Sequence, residues 1–167
     1  MAHHLKSLNL NKLGDFLLLS PKELRYNCFM GNYEVFEHTA DIGIRVKGKD
    51  LKELFKNAGL ALFQVSSRKQ FTKNKTHANL NIKISADNLE SLFVDWLNEL
   101  LSLSAARGLI FYNIKINKLE DNSIEAVGVG SAINNYKVNT EIKAATYHQL
   151  RVVRKPTGWL AEVILDV

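Results

Sequence analysis

Six residues carry the chemistry this chain could do: His38, Asp41, Lys143, His148, Asp166 and Val167, the last residue of the sequence. Two aspartates and a terminal carboxylate make an all-oxygen, strongly negative set. Such a set suits a hard divalent cation, Ca2+ or Mg2+, better than Zn2+. His38 and His148 each lie within a few positions of a hydroxyl residue and a carboxylate, the company that acid–base catalysis needs. Plainer readings stand beside these. An Asp in a tight corner such as His38-Thr39-Ala40-Asp41-Ile42-Gly43 is a turn former whose carboxylate bonds a nearby backbone N–H. A charged residue beside a chain end is ordinarily just exposed, and a histidine is more often satisfied by the fold than catalytic. Periodicity does not bring Asp41 next to Asp166; the oxygen set exists only if both return to one edge of a sheet.

Other chemistries are excluded or weakened. The single cysteine, Cys28, rules out an internal disulfide and a Cys-rich zinc site and fits a reducing cytoplasm. It also lies in a weakly patterned stretch, a poor setting for a thiol nucleophile. No P-loop is present, and Gly128-Val129-Gly130 sits inside a strand pattern with no helix after it, so a bulge or a close backbone approach explains it. A net charge of +5 and a pI near 9.3 permit an acidic partner or RNA without demanding either. The apolar run Phe16-Leu17-Leu18-Leu19 falls far short of the roughly 20 residues that cross a bilayer, and no cleavage site follows it. No membrane span is expected.

The elements that must position the six residues begin after a change of texture. Residues 1–29 form a weakly patterned leader with His3-His4, a weak helical stretch over 10–19 and a Ser20-Pro21 break. Strong patterning starts just after Met30, a candidate translation start, so a single domain over 30–167 is expected; 167 residues with 46% hydrophobic content suffice for one core. Alternation predicts a strand from Tyr33 to His38, a tight corner, and a second strand through Ile42, Ile44 and Val46. Asp50 with Glu53 then opens a helix whose apolar stripe is Leu51, Leu54, Phe55, Ala58, Leu62 and Val65. Residues 66–77 read as a basic loop with Arg68, Lys69, Lys73 and Lys75. A strand through Leu80, Ile82 and Ile84 leads to a second helix, capped by Asp87 with Glu90, with a stripe from Leu89 to Leu101 and a stop at Arg107-Gly108. Asp95, Asn98 and Glu99 lie mostly off that stripe, on a face expected to be solvated. Period two then takes over. Ile110, Tyr112, Ile114 and Ile116 should share a face, Asp121-Asn122 should turn the chain, and a block from Val138 to Tyr147 and a hairpin around Pro156-Thr157-Gly158 should follow. The fold class is α+β: two layers, with two amphipathic helices packed on a largely antiparallel sheet.

Four segments together carry a resemblance to a known family. Glu37-His38-Thr39-Ala40-Asp41-Ile42-Gly43-Ile44, Leu92-Phe93-Val94-Asp95-Trp96-Leu97-Asn98-Glu99-Leu100-Leu101, Ile142-Lys143-Ala144-Ala145-Thr146-Tyr147-His148 and Val163-Ile164-Leu165-Asp166-Val167 occur in the order found in archeases. The resemblance runs from residue 33 to the end and omits the leader. Two positions depart from it, since archeases often carry a bulkier residue at Ala145 and a glycine at Gln149. It implies a protein cofactor rather than an enzyme, one that activates an RtcB-type tRNA-splicing ligase by promoting guanylation of the ligase and multiple turnover, and so meets tRNA only through the ligase. It further implies that Asp41, Asp166 and Val167 hold a divalent metal ion, Ca2+ first and Mg2+ second. Lys143 would be the functional lysine, with His38 and His148 in support.

Two other functions fit the residues less fully. An RNA-binding module or RNA chaperone would use the basic loop with Arg151, Arg154 and Lys155 and bind RNA without a partner. A metal-dependent hydrolase would use the same carboxylates and act alone.

Overall fold

The computed structural model describes residues 29, 30, 32–38, 40–70 and 77–167. The expected helix over 10–19, the His3-His4 pair, Cys28, Lys73 and Lys75 lie outside the described residues.

The main sheet starts with β1 (Phe29–Met30), β2 (Tyr33–His38) and β3 (Asp41–Gly48) and is completed by the end of the chain. There β9 (Ala144–Ala145), β10 (Arg151–Lys155) and β11 (Gly158–Asp166) return. Strand order is β1-β2-β3-β11-β10, with β9 also on β11. The last strand therefore lies beside the first long ones, the return that the oxygen set requires. A second sheet has the order β5-β7-β6, from β5 (His77–Ser85), β6 (Leu109–Glu120) and β7 (Ser123–Ala132). A ribbon pairs β4 (Ser67–Lys69) with β8 (Tyr136–Val138). Every described pairing is antiparallel.

Two helices bury their stripes against these sheets. In α1 (Leu51–Ser66) the Asp50 side chain accepts the Glu53 N–H at 2.8 Å, and Glu53 reaches back to the Lys49 N–H at 2.8 Å, so a near-complete capping box fixes the start. In α2 (Leu89–Arg107) the cap is Asn88, which accepts from the Ser91 N–H, and not Asp87. Both residue types cap equally well; the register of the buried stripe decides between them. Gly108, at φ +59°, closes α2 in the left-handed conformation. The helices meet where the Trp96 indole N–H donates to the Phe55 carbonyl at 2.9 Å and Phe55 stacks edge-on against Phe93 at 5.1 Å. Gly59 belongs to this contact. A methyl there would come within 2.7 Å of both Ile114 Cδ1 and Leu100 Cδ1.

Three expectations need correction. Tyr112 does not share the buried face of Ile110 and Ile114: a bulge shifts the β6–β7 register between Phe111 and Asn113, so Phe111 is buried and Tyr112 is 42% exposed. Period two does not carry through the block from Val138 to Tyr147, where pairing stops at Val138 and resumes only for Ala144 and Ala145. Nor is the start of the basic loop free of structure, because Ser67–Lys69 pairs with Tyr136–Val138.

Candidate functional site

The six residues gather at one end of the main sheet, and the register puts three of them in a row. His38 pairs with Asp41 at the end of the β2–β3 hairpin. Pairs between β3 and β11 run unbroken from Gly48–Trp159 to Ile42–Leu165, so one further step sets Asp166 opposite Asp41. On its other edge Asp166 pairs with Ala144. Opposed residues of an antiparallel ladder point to the same face, and alternate residues of a strand share it. His38, Asp41 and Asp166 are thus on one face, while Ile44 and Val163 on the opposite face are fully buried toward the helices.

Lys143 is held by its backbone as well as its side chain. Its N–H donates to the Asp166 carbonyl at 2.8 Å, and its Nζ donates to the Val167 main-chain oxygen at 3.0 Å. Asn98 on α2 fixes the next turn of chain by bonding both polar groups of the Ala145 backbone, at 3.1 and 2.8 Å. Asn98 is therefore part of the support of the site and not of a solvated face.

His148 arrives by a detour. Ala145 pairs with Leu165 and Arg151 with Glu162, so residues 146–150 stand against only Val163 and Ile164 on β11. The surplus chain is looped out. Thr146 anchors the loop with its N–H and hydroxyl on the Ile164 carbonyl at 3.0 and 3.1 Å, the Leu150 N–H bonds the Tyr147 carbonyl at 3.2 Å, and Gln149 takes φ +51°. The loop carries His148 across the sheet to His38, where the two rings meet edge to face at 5.1 Å. His38 Nδ1 is buried without a hydrogen-bond partner.

Two rows further along the same face lies a charge ladder over four strands, Glu34–Arg45–Glu162–Arg151, with contacts of 2.9, 2.6 and 3.2 Å. Between ladder and site, the Phe36 ring covers Gly43, where a methyl would come within 2.2 Å of the ring. Arg45 also lies over that ring, 5.5 Å from its centroid. Burial alone would push the Glu162 carboxyl up; the hydrogen bond and charge of Arg45, with Arg151, outweigh it and hold the carboxyl below its ordinary value. The Glu162 hydrogen bond in turn raises Arg45.

The oxygen set fits a hard cation in donor type and in placement. Asp41, Asp166 and Val167 are half-buried. Three donors are only part of the six to eight that Ca2+ takes. Among the described residues no group of three or more His, Cys, Asp or Glu forms a metal cluster. Sequence reasoning missed Asn98, whose only signal was an amide facing away from an apolar stripe.

Comparison with known proteins bears on the whole domain. A model of the Archease protein family matches residues 33–167. Protein archease of Methanosarcina acetivorans is 37% identical over 141 residues, which is 81% of this chain and 95% of that protein. Protein archease of Pyrococcus furiosus is 35% identical over 145 residues, 83% of this chain and all of that protein. Among solved structures, protein 1598 of Methanobacterium thermoautotrophicum superposes with a TM-score of 0.62 at 30% identity, covering 83% of this chain and 100% of that one. A Thermotoga maritima archease, described as a possible chaperone, superposes with a TM-score of 0.53 at 23% identity, over 79% of this chain and 94% of that one, a likeness of fold alone.

Proposed function

The chain belongs to the archease family, and from that premise we propose that it is a cytoplasmic protein activator of an RtcB-type RNA ligase and not an enzyme in its own right. One observation carries the reading. The sheet register aligns Asp41 with Asp166 while Lys143 Nζ sits 3.0 Å from the Val167 oxygen, so two carboxylates, a main-chain oxygen and an amine share one exposed end of the fold.

Asp41, Asp166 and Val167 would hold the divalent ion, Ca2+ or Mg2+. Bound there, the ion supplies a fixed positive charge and open coordination positions for oxygens of a partner. The residues themselves do the rest. Asn98 and the β9–β11 pairing keep Lys143 beside the Val167 oxygen, and the 146–150 loop presents His148 beside His38. This edge docks on the guanylation-competent state of the ligase in preference to its other states. Activation needs that difference in affinity, because equal binding to both states shifts nothing.

The test is multiple-turnover joining of two tRNA halves by an RtcB-type ligase with GTP and metal, with and without this protein. The expected result is acceleration beyond the first turnover that is lost in Asp41→Ala and Asp166→Ala. Folded variants that activate as well as the parent would end the proposal.

A further inference from the structure

The far end of the sheet carries a second constellation. Two clefts flank the start of α1, one of about 290 Å³ between the end of β3 and the β10–β11 hairpin, and one of about 480 Å³ between α1 and β6. They share Lys49 and Glu53. Between them they are lined by Lys47, Lys49, Lys52, Lys56, Lys115 and Lys155, from three separate stretches of chain (47–56, β6 and β10), with only Asp50 and Glu53 as carboxylates. Both carboxylates are engaged by backbone N–H groups in the capping of α1.

A solvated helix face would explain lysines on one element; it does not explain convergence from β3, α1, β6 and β10. Pairing elsewhere sharpens the contrast. Lys83 and Lys118 on the second sheet are matched by Glu125 and Glu120 at 2.8 and 2.9 Å, whereas among the described residues no carboxylate pairs with Lys49, Lys56, Lys115 or Lys155. Unmatched like charges brought together cost stability, so their concentration calls for an anionic partner. Two adjoining clefts sharing a lysine suit successive charges along a chain better than one small anion. Trp159 lines the first cleft and offers an apolar surface beside the lysines.

We propose that the paired lysine clefts at the start of α1 bind consecutive phosphates of a single-stranded RNA backbone. The surface is new relative to the activator reading and does not rest on it. Arg151, a natural candidate for RNA contact by sequence, is tied to Glu162 at 3.2 Å. β3 is 8 residues long, so the clefts lie about 23 Å along the sheet from Asp41 at the usual rise of a strand. RNA held there would leave the acidic end free.

The experiment titrates the full chain into a short labelled single-stranded RNA over a range of salt, with no ligase present. Lys49→Glu with Lys115→Glu is expected to weaken binding at least about tenfold and to flatten the dependence of log affinity on log salt by about 1 to 2. The milder Lys49→Gln with Lys115→Gln should move both in the same direction, and Lys83→Glu with Lys118→Glu should leave them within about twofold. Equal losses in both Glu pairs would reduce the effect to net charge and overturn the proposal, as would unchanged binding in the cleft variants. Competition by inorganic pyrophosphate as effective as competition by unlabelled RNA would also overturn it, reassigning the clefts to small anions. The assay contains no ligase, so its failure is distinct from failure of the activator reading.

Discussion

The side-chain amide of Asn98 on α2 grips the backbone of Ala145, donating from Nδ2 to the Ala145 carbonyl at 3.1 Å and accepting the Ala145 N–H on Oδ1 at 2.8 Å. It stands in for a missing strand. β9 is only two residues long and has β11 on one side; the helix amide supplies its other hydrogen-bonding edge. Through this grip the helix core sets the position of Lys143, two residues away.

Removing the grip should be felt in two places. Asn98→Ala leaves a part-buried N–H and C=O without partners and is expected to cost about 2 kcal/mol in urea unfolding, while Asn98→Asp, which keeps the acceptor, should cost less. Exchange of the Ala145 amide hydrogen should quicken in Asn98→Ala and stay close to the parent's in Asn98→Asp, whose Oδ1 still accepts that N–H. An Asn98→Ala protein as stable as the parent, with a protected Ala145 N–H, would mean that β11 alone holds the segment.

The charge ladder gives a pH dependence with a definite sign. The Glu162 carboxyl is held below its ordinary value near 4.5. A group depressed on folding contributes stability that is fully present above its unfolded value and is lost as pH falls through the folded one. Glu162→Gln should therefore cost about 1 kcal/mol at neutral pH, discounted because Arg45 and Arg151 are partly in solvent. The difference between the two proteins should shrink as the pH is lowered through 4 and below. A gap that stays constant with pH would assign the effect to packing and not to charge.

Much of this was legible in the residues, and the parts that were not share a cause. Asp50 with Glu53 announced α1, and the strands around Ile44 and Val163 announced themselves by alternation, because local propensity and burial agree there. The choice of Asn88 over Asp87 and the bulge that exposes Tyr112 depend on which neighbours are buried, which short-range pattern does not encode. The alignment of Asp41 with Asp166 is a register between strands more than a hundred residues apart. His148 reaching His38 depends on five residues standing against two, a surplus visible only once β9, β10 and β11 are paired. The site is made of such long-range coincidences, so its residues could be named from sequence motifs but not placed.

That surplus is paid for at Gln149, which sits at φ +51°. A side chain in the left-handed region costs about 1 kcal/mol, partly offset by the smaller unfolded-state entropy of a non-glycine residue. Gln149→Gly should thus be neutral or stabilising by up to about 1 kcal/mol, whereas Gln149→Val, with a branched Cβ, should lose about 1 to 2 kcal/mol. Thermal unfolding of the two variants side by side measures the difference. A Val variant as stable as the Gly variant would show that the loop relaxes to another conformation at no cost.

Lys143 offers a way to separate the proposed metal binding from the proposed activation. Its amine lies 3.0 Å from the Val167 oxygen, so it would compete for that oxygen with the cation proposed there and repel it. Lys143→Met removes the positive charge while keeping the length of the side chain, and Ca2+ binding, read by calorimetry or by the rise in melting temperature, should tighten by about 3- to 10-fold. Asp41→Asn and Asp166→Asn should weaken the same binding. If Lys143 acts on the ligase, the Met variant nevertheless loses activation in multiple-turnover joining of tRNA halves, giving the opposite sign in the two assays. Parallel losses in both would mean that the lysine only orders the chain end around the ion, and retained activation would remove it from the docking edge altogether.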